Sequence, residues 1–188
     1  MHKFDPANAA RLERAERYTL IPPNETLLKL GLKPGMTFVD IGAGTGFFSR
    51  PASAIVGESG RVFAADIAPG MMDFMKSQGV PANLTPILST EYAIPVSDGI
   101  ADMTFMAFVT HETPDLLRFL DEAARITRPG GRIAIVDWKK QQEEQGPPEA
   151  ERLAEEDFLA RVAGRFAVLE HGAMNASHYY VILQPGKP

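Results

Sequence analysis

The sequence predicts a doubly wound α/β fold: a seven-stranded sheet, mostly parallel, with helices on both faces and an antiparallel hairpin at its C-terminal end. Three observations predict it. From Met36 to Trp138, short apolar runs alternate with helical stretches of about ten residues, the order that builds a parallel sheet with crossover helices. The run Phe38-Val39-Asp40-Ile41-Gly42-Ala43-Gly44-Thr45-Gly46 passes from apolar residues into glycines at every second position. The last two runs, Arg165–His171 and His178–Gln184, are joined by Gly-Ala-Met-Asn-Ala-Ser, which is long enough for an antiparallel pair and too short for a parallel crossover.

Taken in order, Asn8, Leu12, Ala15 and Tyr18 lie among Arg and Glu and predict a surface helix. Pro22-Pro23 ends it, and Asn24 is the expected N-cap of a short helix through Leu27, Leu28 and Leu30, stopped by Gly31 and Pro34. Met36–Ile41 is a buried strand, and Gly46–Val56 a helix that Pro51 either kinks or shortens. Strand Arg61–Asp66, helix Pro69–Gln78 and short strand Leu84–Leu88 follow. Strand Ala101–Phe108 comes after a turn at Ser97-Asp98-Gly99, helix Pro114–Thr127 ends at Pro129-Gly130-Gly131, and strand Arg132–Trp138 completes the alternation. Lys139–Pro148 is a polar, mobile loop or linker and, with residues 1–30, a candidate to cover the site; Ala150–Ala163 is an amphipathic helix before the terminal hairpin.

Composition narrows the function. A chain of 188 residues makes one domain with one good core; residues 31–188 form it, and residues 1–30 form a helical segment placed to act as a lid. A net charge of -5 gives no support for a nucleic-acid footprint, which is usually strongly basic, and leaves open only a local basic groove. The absence of cysteine excludes disulfides, thiolate metal sites and a cysteine nucleophile. No histidine and acid spacing suggests a metal, and no apolar run approaches the roughly 20 residues of a membrane span. A cytoplasmic protein, monomeric or homodimeric, is expected.

The glycine run carries the chemistry. Gly42, Gly44 and Gly46 let the backbone turn sharply and approach a ligand with no Cβ in the way. A loop of this kind, leaving a strand and opening a helix, is a nucleotide-type site. Asp40 decides the nucleotide: its carboxylate would repel a pyrophosphate and attract a cation. S-adenosylmethionine (SAM) has an adenosine, a sulfonium and an ammonium, and no phosphate. Asp66 ends the next strand 20 residues after Gly46, a distance that suits hydrogen bonds to the ribose hydroxyls; it is otherwise a helix cap before Pro69.

These pieces together resemble the class I SAM-dependent methyltransferases over about residues 20–184, in particular the small "methyltransferase type 11" group related to the quinone-biosynthesis and arsenite methyltransferases. Val39–Gly46 matches the first motif, Val62–Ile67 the second strand with its acidic end, Ala101–Met106 the fourth strand, and Arg128-Pro129-Gly130-Gly131-Arg132 the turn before the fifth. The resemblance implies a Rossmann-like sheet with a reversed seventh strand, and methyl transfer from SAM to a small-molecule acceptor with S-adenosylhomocysteine (SAH) as product. It implies that Gly42, Ala43, Gly44 and Gly46 meet the methionine part, that Asp40 sits near its amino group, and that Ile67 and Met71 flank the adenine. Met71 has a second reading, as a core residue of its helix. Where relatives carry Gly-Asp after the third strand, this chain has Ser89-Thr90 and then Glu91, so Thr90 or Glu91 takes the adenine contact or remains a solvated loop residue.

Phe108, Val109, Thr110, His111 and Glu112 follow the fourth strand, whose end faces the transferred methyl group in this family; Phe108 is an expected cofactor contact. His111 either orients substrate or acts as a base near neutral pH, or else caps the next helix or shapes the cofactor pocket. His171, His178, Tyr179 and Tyr180 lie on the hairpin, where they line a substrate pocket or, by preference, finish a sheet edge. Arsenite chemistry is not expected without cysteine. The alternatives to a methyltransferase are a non-catalytic SAM-binding protein and, further off, an NAD-dependent oxidoreductase.

Overall fold

The structure is a computed structural model that describes residues 13–185. Seven strands run β1 (Thr37–Ile41), β2 (Arg61–Asp66), β3 (Leu84–Leu88), β4 (Ala101–Ala107), β5 (Thr127–Trp138), β6 (Ala167–Ala173) and β7 (His178–Gln184). They form one sheet in the order β3-β2-β1-β4-β5-β7-β6. The pairs from β3 to β5 are parallel; β7 is antiparallel to both β5 and β6. The helices are α1 (Ala15–Leu20), α2 (Pro23–Lys29), α3 (Ser49–Val56), α4 (Pro69–Ser77), α5 (Leu116–Ile126) and α6 (Glu155–Val162).

Both sheet faces are covered, and the two-residue period of a strand assigns each side chain to a face. Phe38, Val62, Phe105, Ala134, Val136, Tyr180 and Ile182 pack with α2, α3 and α4. Their neighbours Val39, Ala65, Met106, Ile133, Ile135, Tyr179, Val181 and Leu183 pack with α5 and α6. Each fully buried side chain of this kind contributes about 1.5–3 kcal/mol over leaving it in water. Strand order reverses between β1 and β4, so the connections leave β1's two neighbours in opposite directions and a crevice opens at the carboxyl ends of the strands.

The element boundaries differ from expectation by a residue or two at several ends, and in five cases the difference has a clear physical reason. Asn24 is not the cap of α2: Pro22 holds that position and Pro23 is the first helical residue, where a missing N–H costs nothing. Helix α3 starts at Ser49, so Pro51 lies in its first turn and shortens the helix without kinking it. Helix α5 stops at Ile126, because Thr127 already pairs with Ala101; the Pro-Gly-Gly turn becomes an irregularity within β5. The expected helix over 150–163 splits into a short 3-10 turn, Glu149–Glu151, and α6. Strand β6 begins two residues later than read, at Ala167, and runs to Ala173. Of the N-terminal surface helix, Asn8 and Leu12 lie outside the described residues, and Ala15 and Tyr18 fall on α1.

Candidate active site

The glycine loop leaves β1 at the crevice. Gly42, Gly44 and Gly46 all have positive φ, at 73°, 55° and 89°. At Gly42 the need is steric as well: an added Cβ would lie 2.4 Å from Val109 Cγ1, on the segment that follows β4. The loop's amides are engaged by the neighbouring strand. Gly42 N and Ala43 N donate to Ala65 O at 2.8 and 3.0 Å, and Gly44 N donates to Asp66 Oδ2 at 2.8 Å. A pyrophosphate site needs such amides aimed at the ligand; here the first three point back into the protein.

Two acids lie beneath and beside this turn. Asp40 is buried and accepts a 2.5 Å bond from Ser49 Oγ, at the start of α3. Burial pushes its carboxyl up to about 7; the Ser49 bond and the Arg17 charge oppose the rise, and the Asp66 charge adds to it. Asp66 is buried at the end of β2, and its second oxygen accepts from Ala68 N at 2.9 Å. Its carboxyl is also raised by burial, against the pull of backbone N–H groups of Ala68, Gly44 and Ile67. Asp66 is thus an acceptor that ties the glycine loop to the start of α4, while Ala68 holds the cap position.

Sequence reasoning missed the cation at this site. Helix α1 lies over the loop: Thr45 Oγ1 donates to the Glu13 carboxylate, the Tyr18 ring lies 4.6 Å from the Phe47 ring, and the Arg17 guanidinium is 4.0 Å from the Phe47 ring centre and 5.7 Å from that of Phe108. Burial lowers the Arg17 guanidinium to about 10, with Glu13, Tyr18 and Asp40 supporting its charge. Arg17 is still a cation at neutral pH. Its position depends on a helix folding back across the sheet, which no local pattern reveals.

The expected adenine residues are less uniform. Ile67 is exposed and Met71 is buried in the helical core. Thr90 pairs with Ala93 in a tight turn, through its amide at 3.1 Å and its hydroxyl at 3.3 Å. That turn adjoins Asp66, because Ser89 N donates to Asp66 O at 3.0 Å. Thr90 and Glu91 therefore stand at the same end of the sheet as Asp66.

Past β4, His111 sits on a 3-10 turn, Thr110–Glu112. Its Nδ1 is 2.7 Å from Asp137 Oδ1. Asp137 is fully buried near the end of β5 and also accepts from Thr110 Oγ1, His111 N at 3.3 Å and Trp138 N at 2.8 Å. Burial pulls the His111 pKa down, but the hydrogen bond and charge of Asp137 outweigh it, and the net shift is upward. Asp137 was not singled out from the sequence, although an acid does close the apolar run Ile133–Val136. With Nδ1 held, Nε2 is the nitrogen available for proton transfer.

Of the hairpin residues His171, His178, Tyr179 and Tyr180, only His171 lies on an edge. Strand β7 lies between β5 and β6, so His178 and Tyr179 are fully buried and Tyr180 nearly so; the exposed edge is β6, where His171 meets Glu155 Oε1 at 2.7 Å. The loop 139–148 is also better ordered than its composition suggests. Arg152, 3 % exposed, donates to the carbonyls of Lys139, Gln141, Gln145 and Pro147 and to the Glu143 carboxylate, and its guanidinium lies 4.9 Å from the Trp138 ring.

A groove of about 720 Å³ lies elsewhere, lined by residues such as Ser53, Gly57, Arg61 and Asn83 at the amino ends of β2 and β3. It is remote from every group above. No group of three or more metal-binding side chains occurs among the described residues.

A crevice at the strand-order reversal, with an acid under its turn in place of phosphate-facing amides, suits a cationic nucleoside, and the sheet around it is that of the class I SAM-dependent methyltransferases. Within that class the chain belongs to the methyltransferase domain family, whose model matches residues 39–135, from β1 into β5. It is similar to a SAM-dependent methyltransferase from Aquifex aeolicus, at 34 % identity and a TM-score of 0.91, covering 97 % of this chain and 100 % of that one. It is also similar to the ubiquinone/menaquinone biosynthesis C-methyltransferase UbiE of Hahella chejuensis, 32 % identical over 119 residues, 61 % of this chain and 48 % of the relative. An arsenic(III) SAM methyltransferase from Chlamydomonas reinhardtii aligns at 26 % identity and a TM-score of 0.65, over 84 % of this chain and 65 % of that one. The chain spans about half the length of the curated relatives it matches.

Proposed function

We propose that this protein transfers the methyl group of SAM to a small-molecule acceptor and releases SAH, in the cytoplasm. The observation that carries the proposal is Asp40: a buried carboxyl beneath a glycine turn, poised near its ionisation point, is a ready partner for a ligand ammonium. Gly42, Ala43, Gly44 and Gly46 give the methionine part its backbone wall. Asp66 exchanges the N–H groups of Gly44 and Ala68 for the ribose hydroxyls. Ile67 and Met71 bound the adenine, with Thr90 and Glu91 beside it, and Phe108 closes the far side at the end of β4. Helix α1, part of the segment 1–30, serves as a lid.

When bound, SAM supplies a methyl carbon already activated by positive sulfur; the carbon–sulfur electron pair remains on sulfur as the bond to the acceptor forms. The protein's part is mainly alignment and exclusion of water. Where the acceptor atom carries a proton, His111 takes it on Nε2, and Asp137 holds the ring and supports the charge that results.

The test is calorimetry on the whole chain with SAM, SAH and NADH, followed by D40N and D66A. SAM and SAH should bind and NADH should not; each substitution should weaken SAM about tenfold or more. Binding of NADH in preference to SAM, or no heat with either SAM or SAH on folded protein, would overturn the proposal.

A further inference from the structure

The Arg17 guanidinium stands beside the glycine loop and has no part in the chemistry above. It lies 4.0 Å from the centre of the Phe47 ring, one residue past Gly46, and 5.7 Å from that of Phe108, where β4 ends. Its charge and that of Asp40 act on each other. A cation drawn partly out of water in this way makes its surroundings favourable for an anion.

The contacts on either side of Arg17 hold it there. Glu13, just before α1, accepts from Thr45 of the glycine loop with one carboxylate oxygen and from the Tyr18 hydroxyl with the other, at 2.8 Å. The Tyr18 ring itself packs on Phe47. Helix α1 is thus pinned to the loop both before and after Arg17. A guanidinium has five N–H donors in its plane, a fork that matches a carboxylate, and contact with a ring face engages none of them. Arg50 and Arg152, by contrast, are committed to backbone. Arg50 donates to the carbonyls of Met75, Gln78 and Gly79 at the end of α4, and Arg152 to those of loop 139–148.

We propose that Arg17 receives the α-carboxylate of the cofactor's methionine part, and is the residue by which the site tells a complete amino-acid end from a decarboxylated one. The proposal rests on the methyl-transfer reading above. One carbon of the ligand bears both its ammonium and its carboxylate, so the groups that hold them must be neighbours, an anion for one and a cation for the other. Asp40 and Arg17 are such a pair, with the glycine turn following the first and lying against the second. Without a ligand the two charges partly compensate each other. A zwitterion satisfies both at once, and the carboxylate–guanidinium bonds are of the strong, charge-assisted kind. A lone ammonium would meet Asp40 but also the like charge of Arg17. An uncharged end would leave both charges as they were. Because Arg17 belongs to α1, the helix that covers the loop brings the partner of the carboxylate with it.

Calorimetry on the full chain tests this with three thioethers that differ only at the amino-acid end: SAH, decarboxylated SAH, and 5′-methylthioadenosine, which has neither charged group. SAH should bind about tenfold or more tightly than its decarboxylated analogue. R17Q keeps a long polar side chain and a good helix former but loses the charge. It should weaken SAH roughly tenfold and leave 5′-methylthioadenosine unchanged. The decarboxylated analogue should bind R17Q as well as before or more tightly, because a like charge is gone. R17K, which keeps the charge and loses the fork, should recover part of the loss; it also serves if R17Q does not fold. Equal affinity of the unsubstituted protein for SAH and its decarboxylated analogue, a loss in R17Q shared equally by all three ligands, tighter binding of SAH to R17Q, or SAH binding indifferent to both substitutions would each overturn the proposal. Absence of SAH heat in the unsubstituted protein would overturn the methyl-transfer reading and this inference with it, and is distinct from a change in preference among the three ligands.

Discussion

Asp40 concentrates the electrostatics of the site in one titration. Its folded-state carboxyl is raised to about 7 from an ordinary 3.8, with burial the largest cause. A raised acid favours the folded state at low pH, below the ordinary value, and that stability is lost as pH rises toward about 7. D40N should therefore flatten the fall in stability between about pH 4 and 7, measured by urea denaturation across that range. A ligand ammonium reverses the preference, because it favours the carboxylate. SAM binding near pH 6 should then release up to about one proton, read as a dependence of calorimetric heat on the ionisation enthalpy of the buffer, and D40N should abolish the release. Proton uptake, or release unchanged in D40N, would contradict this assignment. The acid and its glycines were legible in the sequence because they are adjacent in it. Ser49, Arg17 and Asp137 were not: each matters through a partner 9 to 30 residues away that only the fold brings close.

At the scale of elements, the glycine loop and the segment after β4 are locked together. G42A faces two separate penalties, the strained φ of 73° and the contact with Val109. It should lose about 1–3 kcal/mol of stability by chemical denaturation. Adding V109A should recover the part due to contact and leave the part due to φ. Full recovery would show that the backbone conformation carries no strain. The same distinction between local and tertiary causes explains which elements could be read in advance. Strands β1 and β2 were legible because buried parallel strands are largely apolar runs between turn residues. The limits of α5 and β5 were not, because Thr127 has a strand partner, Ala101, that local propensity does not register. Likewise His178 and Tyr179 were assigned to an edge that belongs to β6; strand order, and not strand pattern, decides exposure.

For the molecule as a whole, the site and the stability of the fold are linked by mass action. SAM at 100 times its dissociation constant should add about 2.7 kcal/mol. For a chain of this size that is a rise in melting temperature of about 5–10 °C, which NADH at the same concentration should not produce. A scanning fluorimetry series with both ligands checks it. The sheet order has another consequence, for the chain during its synthesis. Strand β7 is the last of the seven to be made, and it is the one that enters between two earlier strands. Among the described residues β6 pairs with β7 alone, so a nascent chain that has reached only residue 177 has β6 unpaired and the outer edge of β5 bare. Strand β7 also brings His178, whose ring packs on Trp138 and Phe108. Sheet closure and this packing thus arrive in a single late event, and a chain interrupted before it would carry a finished glycine loop on an unfinished sheet.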